Sequence, residues 1–257
     1  MRITFCMALL ASVISMSAIC RAESAFVPVF IDARTEARLG PFPYDRAVTA
    51  DALAAFEKLG AKGVVLKFFF DQPKGKGDDA LALAMTKLPV ILQARCDDTE
   101  ARPNPLAARF SAAIGAQKIF AVACKSGWIP LPRLQQSATD VCFIDQSVAD
   151  VAPLRERYQG RAVKTLYECA LALARKPVPA ADAGGTRKIE LAKVPRFDVI
   201  SLVDVLDGKI DRAKIAGKIV VFGYEGPNAT MFETAIGRIA AHRVFVMNLM
   251  ALEQAGN

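Results

Sequence analysis

The sequence has a single histidine, His242, and a single tryptophan, Trp128. So few histidines leave little room for acid–base or metal chemistry. There is no His-Glu-x-x-His, no Cys-x-x-Cys, no Cys/His cluster, and no histidine paired with a Ser, Cys or carboxylate at a recognisable spacing. His242 lies beside Arg243 and reads as a surface or packing residue. A Gly-x-Ser-x-Gly elbow and a Gly-x-x-x-x-Gly-Lys-Ser/Thr loop are also missing. Gly223-Tyr224-Glu225-Gly226 could hold an anion on its backbone amides, but two glycines after a strand also make an ordinary turn. No Lys/Arg run interleaves with aromatics, so there is no nucleic-acid footprint. No motif calls for a cofactor or a metal. The net charge of +7 supports only a mild preference for anionic partners.

Long apolar runs are missing everywhere except at the start. Arg2 is followed by uncharged residues from Ile3 to Cys20, and then by Arg21-Ala22-Glu23-Ser24. A basic start, an apolar middle and small residues before a cut predict a signal segment, 1–22, cleaved after Ala22. The rival reading is an uncleaved anchor, since about 18 uncharged residues is the lower edge of a membrane span. Ser12, Ser15 and Ser17 make it a poor one. Cleavage would leave residues 23–257 as a single exported domain, periplasmic or secreted, and would lower the charge from +7 to +5 through the loss of Arg2 and Arg21. Four cysteines would remain: Cys96, Cys124, Cys142 and Cys169. An even count in an oxidising compartment suggests disulfides, with three possible connectivities. Each cysteine also lies in or beside an apolar segment, where a free thiol behaves as a small hydrophobe.

The stretch from Phe26 to Asp71 organises the rest. Phe26 to Ile31 is apolar and ends at Asp32. A helix follows, with Thr49 as its expected cap, an apolar face of Ala52, Phe56 and Leu59, and Gly60 as its stop. Val64 to Phe70 reads as a central strand interrupted by Lys67. Further on, the pattern predicts a helix over 78–87, a strand over 89–94, a helix over 106–114 and a short strand over 119–123. Strands over 141–145 and 217–223 follow, with helices over 165–175 and 236–254. Arg187 to Val194 alternates like an edge strand with one wet face. The β-α-β-α-β alternation argues for an α/β fold. The expectation is three layers, with a mostly parallel central sheet, helices on both faces and one antiparallel edge region.

In open α/β sheets, ligands bind beyond the carboxyl ends of the strands. Asp32 and Arg34 follow the first strand, Asp71 follows the second, and Tyr44 and Arg46 lie between them. Together they offer acceptors, donors and an aromatic face, and they are the candidate ligand-binding residues. An Asp at a strand end can equally cap the next element, and Arg46 can pair with Asp32 or Asp71. For Asp145, at the end of a later strand, the capping reading is preferred.

The run Ile31-Asp32-Ala33-Arg34 through Leu39-Gly40-Pro41-Phe42-Pro43-Tyr44-Asp45-Arg46 resembles the opening of the extracellular CHASE type-2 sensory domain. Its later features are matched by the Gly-Lys-Ile-Val strand ending at Gly223 and by Asn248 in the final helix. The resemblance spans Phe26 to Gln254, vaguely in the middle. It implies a sensor rather than an enzyme, placed outside the membrane in receptors with cytoplasmic kinase or cyclase outputs. Three departures stand out. No transmembrane or output segment follows, which suggests a stand-alone module. Lys67 stands where the family usually has Asp, and Val246 stands where it typically has His. The expected function is therefore an exported, non-catalytic sensory domain that binds a small molecule or a membrane receptor protein. An exported hydrolase acting on an anionic substrate, or an envelope scaffold, are the alternatives.

Overall fold

The computed structural model describes residues 23–115 and 119–256, so the signal segment lies outside the described residues. Its hub is β1 (Phe26–Asp32), buried along nearly its whole length. The other strands of its sheet are β2 (Gly63–Leu66), β3 (Val90–Cys96), β4 (Gly127–Trp128), β5 (Asp140–Phe143), β6 (Ile200–Ser201) and β7 (Ile219–Glu225). The order is β6-β1-β7-β2-β3-β5, with every neighbour parallel. β4 adds antiparallel to the end of β3, pairing Trp128 with Arg95. Smaller antiparallel pieces lie off this sheet: Thr186–Lys188 on Val151–Pro153, and the hairpin Met231–Thr234 with Gly237–Ala240.

Side chains alternate between two cores. On one face, Val64, Leu66, Leu92 and Phe222 pack against α2 (Arg46–Lys58) through Ala52, Leu53 and Phe56. α3 (Lys76–Ala84), α4 (Pro132–Ser137) and α6 (Leu202–Leu206) complete that layer through Leu81, Leu134 and Leu202. On the other face, Phe30, Val65, Ile91 and Val221 meet α5 (Leu166–Leu173) and α7 (Ala241–Gly256). This is the expected three-layer α/β arrangement. Burying a side chain such as Phe56 contributes about 2–3 kcal/mol, and both faces carry many of them.

Several local expectations change. The cap of α2 is Asp45, whose carboxylate accepts from Ala47 N at 2.7 Å, and Thr49 lies inside the helix. α1 (Ala33–Leu39) was not anticipated; Asp32 caps it. The predicted helix over 106–114 is a single 3-10 turn, Ala108–Phe110, running into the short strand Ser111–Ala112. The front of the predicted last helix is the 231–240 hairpin, turned at Gly237 with φ 111°. The edge strand is only Thr186–Lys188 and joins a separate two-stranded sheet.

The cysteines form two disulfides, Cys96–Cys124 and Cys142–Cys169. Asn248 is fully buried in α7 and donates to Ala149 O at 2.9 Å and to Tyr167 Oη at 3.2 Å. No helix among the described residues is long and apolar enough to cross a membrane.

Candidate functional site

β2 leaves the ladder after Leu66, although Lys67 N still donates to Phe222 O at 2.9 Å. The early departure opens a cleft of about 930 Å³ over the carboxyl ends of β2, β3 and β7. Parallel strands put their end residues on one rim, so residues distant in sequence meet there. One wall is aromatic: Phe42 stacks on Tyr224 at 4.9 Å and lies 5.5 Å from Phe68. The Phe42–Pro43 peptide that carries this wall is cis. Phe69, Phe232 and Phe245 add further apolar surface.

The floor is polar. Strand alternation sends Lys67 to the α7 face, the same side as Val65. Its Nζ donates to Gln93 Oε1 at 2.6 Å and sits 5.0 Å from the centre of the Phe245 ring. Burial pushes its amine from 10.5 down to about 7; Arg95 acts in the same direction, and Asp145 and Glu156 act against it. Arg95, at the end of β3, is held by aromatic faces, 4.7 Å from Trp128 and 6.0 Å from Phe69. Its guanidinium has no hydrogen-bond or ion-pair partner among the described residues.

His242 opens α7, and its Nδ1 accepts from Tyr224 N at 2.8 Å. That bond fixes the neutral tautomer with the proton on Nε2. Burial, aided by the charge of Lys67, pushes its pKa well below 6.5. The approach requires Gly223, since a Cβ there would lie 2.8 Å from His242 Nδ1. Asp145 Oδ2 accepts from Cys96 N at 2.8 Å, and Asp145 N donates to Glu156 Oε1 at 3.1 Å. Burial raises both carboxyls, Glu156 well above 4.5, with the neighbouring Asp145 charge adding to it. Burial therefore favours the protonated form of Glu156. Its Oε2 has no hydrogen-bond partner among the described residues.

A model of the CHASE2 domain matches residues 7–252, nearly the whole chain. The chain belongs to the CHASE2 domain family. CHASE2 domains are sensory, which supports a sensory or ligand-binding role for the chain. No curated protein and no solved structure matches the chain.

The structure distributes the five candidate residues of this CHASE2 domain unevenly. Arg46 and Asp71 line the cleft. Arg46 is 5% exposed, with its guanidinium bound to Asp78 and to Gln72 O and placed 5.1 Å over the Phe70 ring. Asp71 accepts from Gln72 Nε2 at 3.0 Å. Asp32, Arg34 and Tyr44 are not among the lining residues. Asp32 Oδ1 accepts from Thr35 N at 2.9 Å, Thr35 Oγ1 at 2.8 Å and Ser201 Oγ at 2.7 Å. Burial opposes its charge, but the bonds from Ser201 and Thr35 outweigh it and hold the carboxyl below its usual value. Arg34 makes a two-pronged pair with Asp204 on the outer surface, at 2.8 and 2.7 Å. Tyr44 packs edge-on against Phe42, and its hydroxyl has no partner among the described residues.

Lys67, Gln93, Arg95 and His242 are the floor residues that the candidate set lacked. The strand-end rule, applied to β3 as it was to β1, gives Arg95. Gly223 inside an otherwise β-branched and aromatic strand signals a close approach, which His242 makes.

Proposed function

We propose that this CHASE2 domain is an exported, non-catalytic sensor that takes a small organic molecule into the cleft over Lys67. The observation that carries the reading is the position of the cleft. It lies at the carboxyl ends of parallel strands, with aromatic walls and a few convergent polar groups on its floor. Its volume of about 930 Å³ is within the range of small-molecule sites. The two disulfides support the exported part, since such bonds persist in oxidising compartments. The chemistry of the floor supports the non-catalytic part: His242 Nδ1 is engaged by the backbone, and Glu156 lies fully buried behind Asp145. Of the five candidate residues, Asp71 and Arg46 border the ligand, whereas Asp32, Arg34 and Tyr44 shape the loops that carry the aromatic wall. The ligand-bound state would pass to a membrane receptor protein.

The test is a thermal-shift screen of a small-metabolite panel against the wild type and Ser147→Trp. Ser147 is exposed on the cleft lining, and an indole there would fill the opening without disturbing the core. The expected result is a compound that raises the melting temperature of the wild type and leaves Ser147→Trp unchanged. Stabilisers that act equally on both proteins, or turnover of any panel member, would refute the reading.

A further inference from the structure

The cleft floor holds three groups that can only donate. Lys67 offers an ammonium with one of its three N–H bonds directed to Gln93. Arg95 offers a guanidinium with no hydrogen-bond or ion-pair partner among the described residues, held in place by Trp128 and Phe69. His242 offers Nε2–H, because its Nδ1 accepts from Tyr224 N. All three line the same cleft, and the charge of Lys67 is felt at His242 as that of Arg95 is at Lys67. Arg46, by contrast, is a lining cation whose counter-charge, Asp78, is already in place.

We propose that Lys67, Arg95 and His242 form a carboxylate-binding subsite, and that the ligand of the cleft is a small aromatic carboxylic acid. This rests on the sensory reading and names its ligand class. A guanidinium fork and an ammonium are the usual partners of a carboxylate, and a charge-assisted bond is about twice as strong as a neutral one. The aromatic body of such a ligand would stack on the wall of Phe42, Phe68 and Tyr224. The acids of the lining offset the cations only in part: the Asp145 charge is felt at both Lys67 and Arg95, yet burial still lowers the Lys67 amine. Asp145 is bound to Cys96 N, and Asp71 is half-exposed beside Gln72.

Binding would depend on pH through Lys67. The groups facing it are Gln93 and Arg95 from β3, Asp145 beyond β5, Glu156, and His242 and Phe245 from α7. Lys67 is charged below about 7 and loses its proton above that, so carboxylate affinity should fall as the pH rises.

The probe is 2-naphthoate, with 2-naphthamide as its neutral counterpart, titrated calorimetrically at pH 6 and pH 8.5. The expected result is saturable binding of naphthoate at pH 6, at least tenfold tighter than the amide and roughly tenfold weaker at pH 8.5. Arg95→Gln and Lys67→Met should each lose tenfold or more while keeping the wild-type circular dichroism and a single cooperative melting transition. Equal binding of the two probes, no naphthoate binding at millimolar concentration, or full binding by a folded Arg95→Gln would overturn the proposal. Should Lys67→Met fail to fold, Arg95→Gln and the pH arm decide alone. A neutral metabolite whose binding is lost in Ser147→Trp would sink this inference and leave the sensory reading standing.

Discussion

Replacing Lys67 by Met should stabilise the protein, and the gain should depend on pH. Burial lowers the amine from 10.5 to about 7 in the folded state. That fall corresponds to roughly 5 kcal/mol of preference for the neutral amine. At pH 6 the lysine is charged both folded and unfolded, so the whole penalty is present. Between about 7 and 10.5 the unfolded chain binds the proton and the folded protein does not, so stability rises with pH across that window. At pH 9 roughly 2 kcal/mol of penalty is left. Methionine has similar length and no charge, but it leaves Gln93 Oε1, in a side chain only 2% exposed, without its donor. That omission costs about 1–3 kcal/mol. Lys67→Met should therefore be about 2–4 kcal/mol more stable than wild type at pH 6 and nearly equal to it at pH 9. The measurement is guanidinium unfolding of both proteins at the two pH values under non-reducing conditions. Comparing the two proteins cancels most of the background from Asp145 and Glu156. A stability gap that stays the same at pH 6 and pH 9, within about 0.5 kcal/mol, would refute the reasoning, because the lysine would then titrate outside the window.

Other outcomes follow from named contacts. Arg46→Ala should cost about 3–5 kcal/mol in chemical denaturation, because Asp78, 3% exposed, loses the guanidinium that neutralises it; a loss below 1 kcal/mol would free Arg46 for a purely ligand-facing role. Glu156→Gln should change stability by less than about 1 kcal/mol below pH 4.5, the ordinary glutamate value, since burial raises the folded carboxyl above it. Because its folded pKa lies above its unfolded one, the wild type loses stability as pH rises from about 4.5 through the folded value, and the glutamine variant should lack that decline. Removing Cys96–Cys124 or Cys142–Cys169 by paired serine substitution should cost about 3.5 kcal/mol each, for sequence separations of 28 and 27. In the native state dithiothreitol should reach Cys96–Cys124 first, since Cys142 and Cys169 are 0% and 3% exposed, and mass spectrometry of alkylated samples would read the order.

Much of the architecture could be read from periodicity. Phe26 to Ile31 and Ile219 to Phe222 are unbroken apolar runs, and both proved to lie in central parallel strands. The length of β2 was not legible. Phe68 and Phe70 are as strand-like as Val64 and Val65, yet the backbone leaves the ladder after Leu66, which puts the Phe68 ring on the cleft wall and the Phe70 ring under the Arg46 guanidinium. The hairpin before α7 was hidden because Ile236 and Ile239 lie three residues apart, a helical spacing. Gly237, with its left-handed φ, was the sign of a turn. Leu106 to Ile114 has helical composition, but Pro105 O, Pro130 O and Ala107 N are tied together by Gln135, and that tertiary tie holds the segment extended. Within the site, Asp71 and Arg46 were reachable from the strand-end rule. The floor was harder, since Lys67, Arg95 and His242 come from three separate elements, and only the sheet order brings them to one place.

Arg46 supplies the internal standard for judging Lys67 and Arg95. All three are cations on one cleft. Arg46 is buried, and the fold gives it Asp78, a backbone carbonyl and an aromatic face. A scaffold role ordinarily comes with such a set, because an uncompensated buried charge is strongly destabilising. Lys67 receives one neutral amide oxygen, with the Asp145 carboxylate near enough to act on it but not hydrogen-bonded to it. Arg95 receives aromatic rings and no acceptor at all among the described residues. Packing alone does not require this asymmetry, since a methionine would fill the place of Lys67 at lower cost. One anion placed between Lys67 and Arg95 would relieve both defects at once, restoring the ammonium and satisfying the guanidinium. The two variants should then be strongly non-additive for carboxylate affinity. Lys67→Met with Arg95→Gln should bind 2-naphthoate little worse than either single change, because removing one donor already disables the shared site. Independent, additive losses in that double-mutant cycle would mean two separate contacts and would rule out a joint subsite.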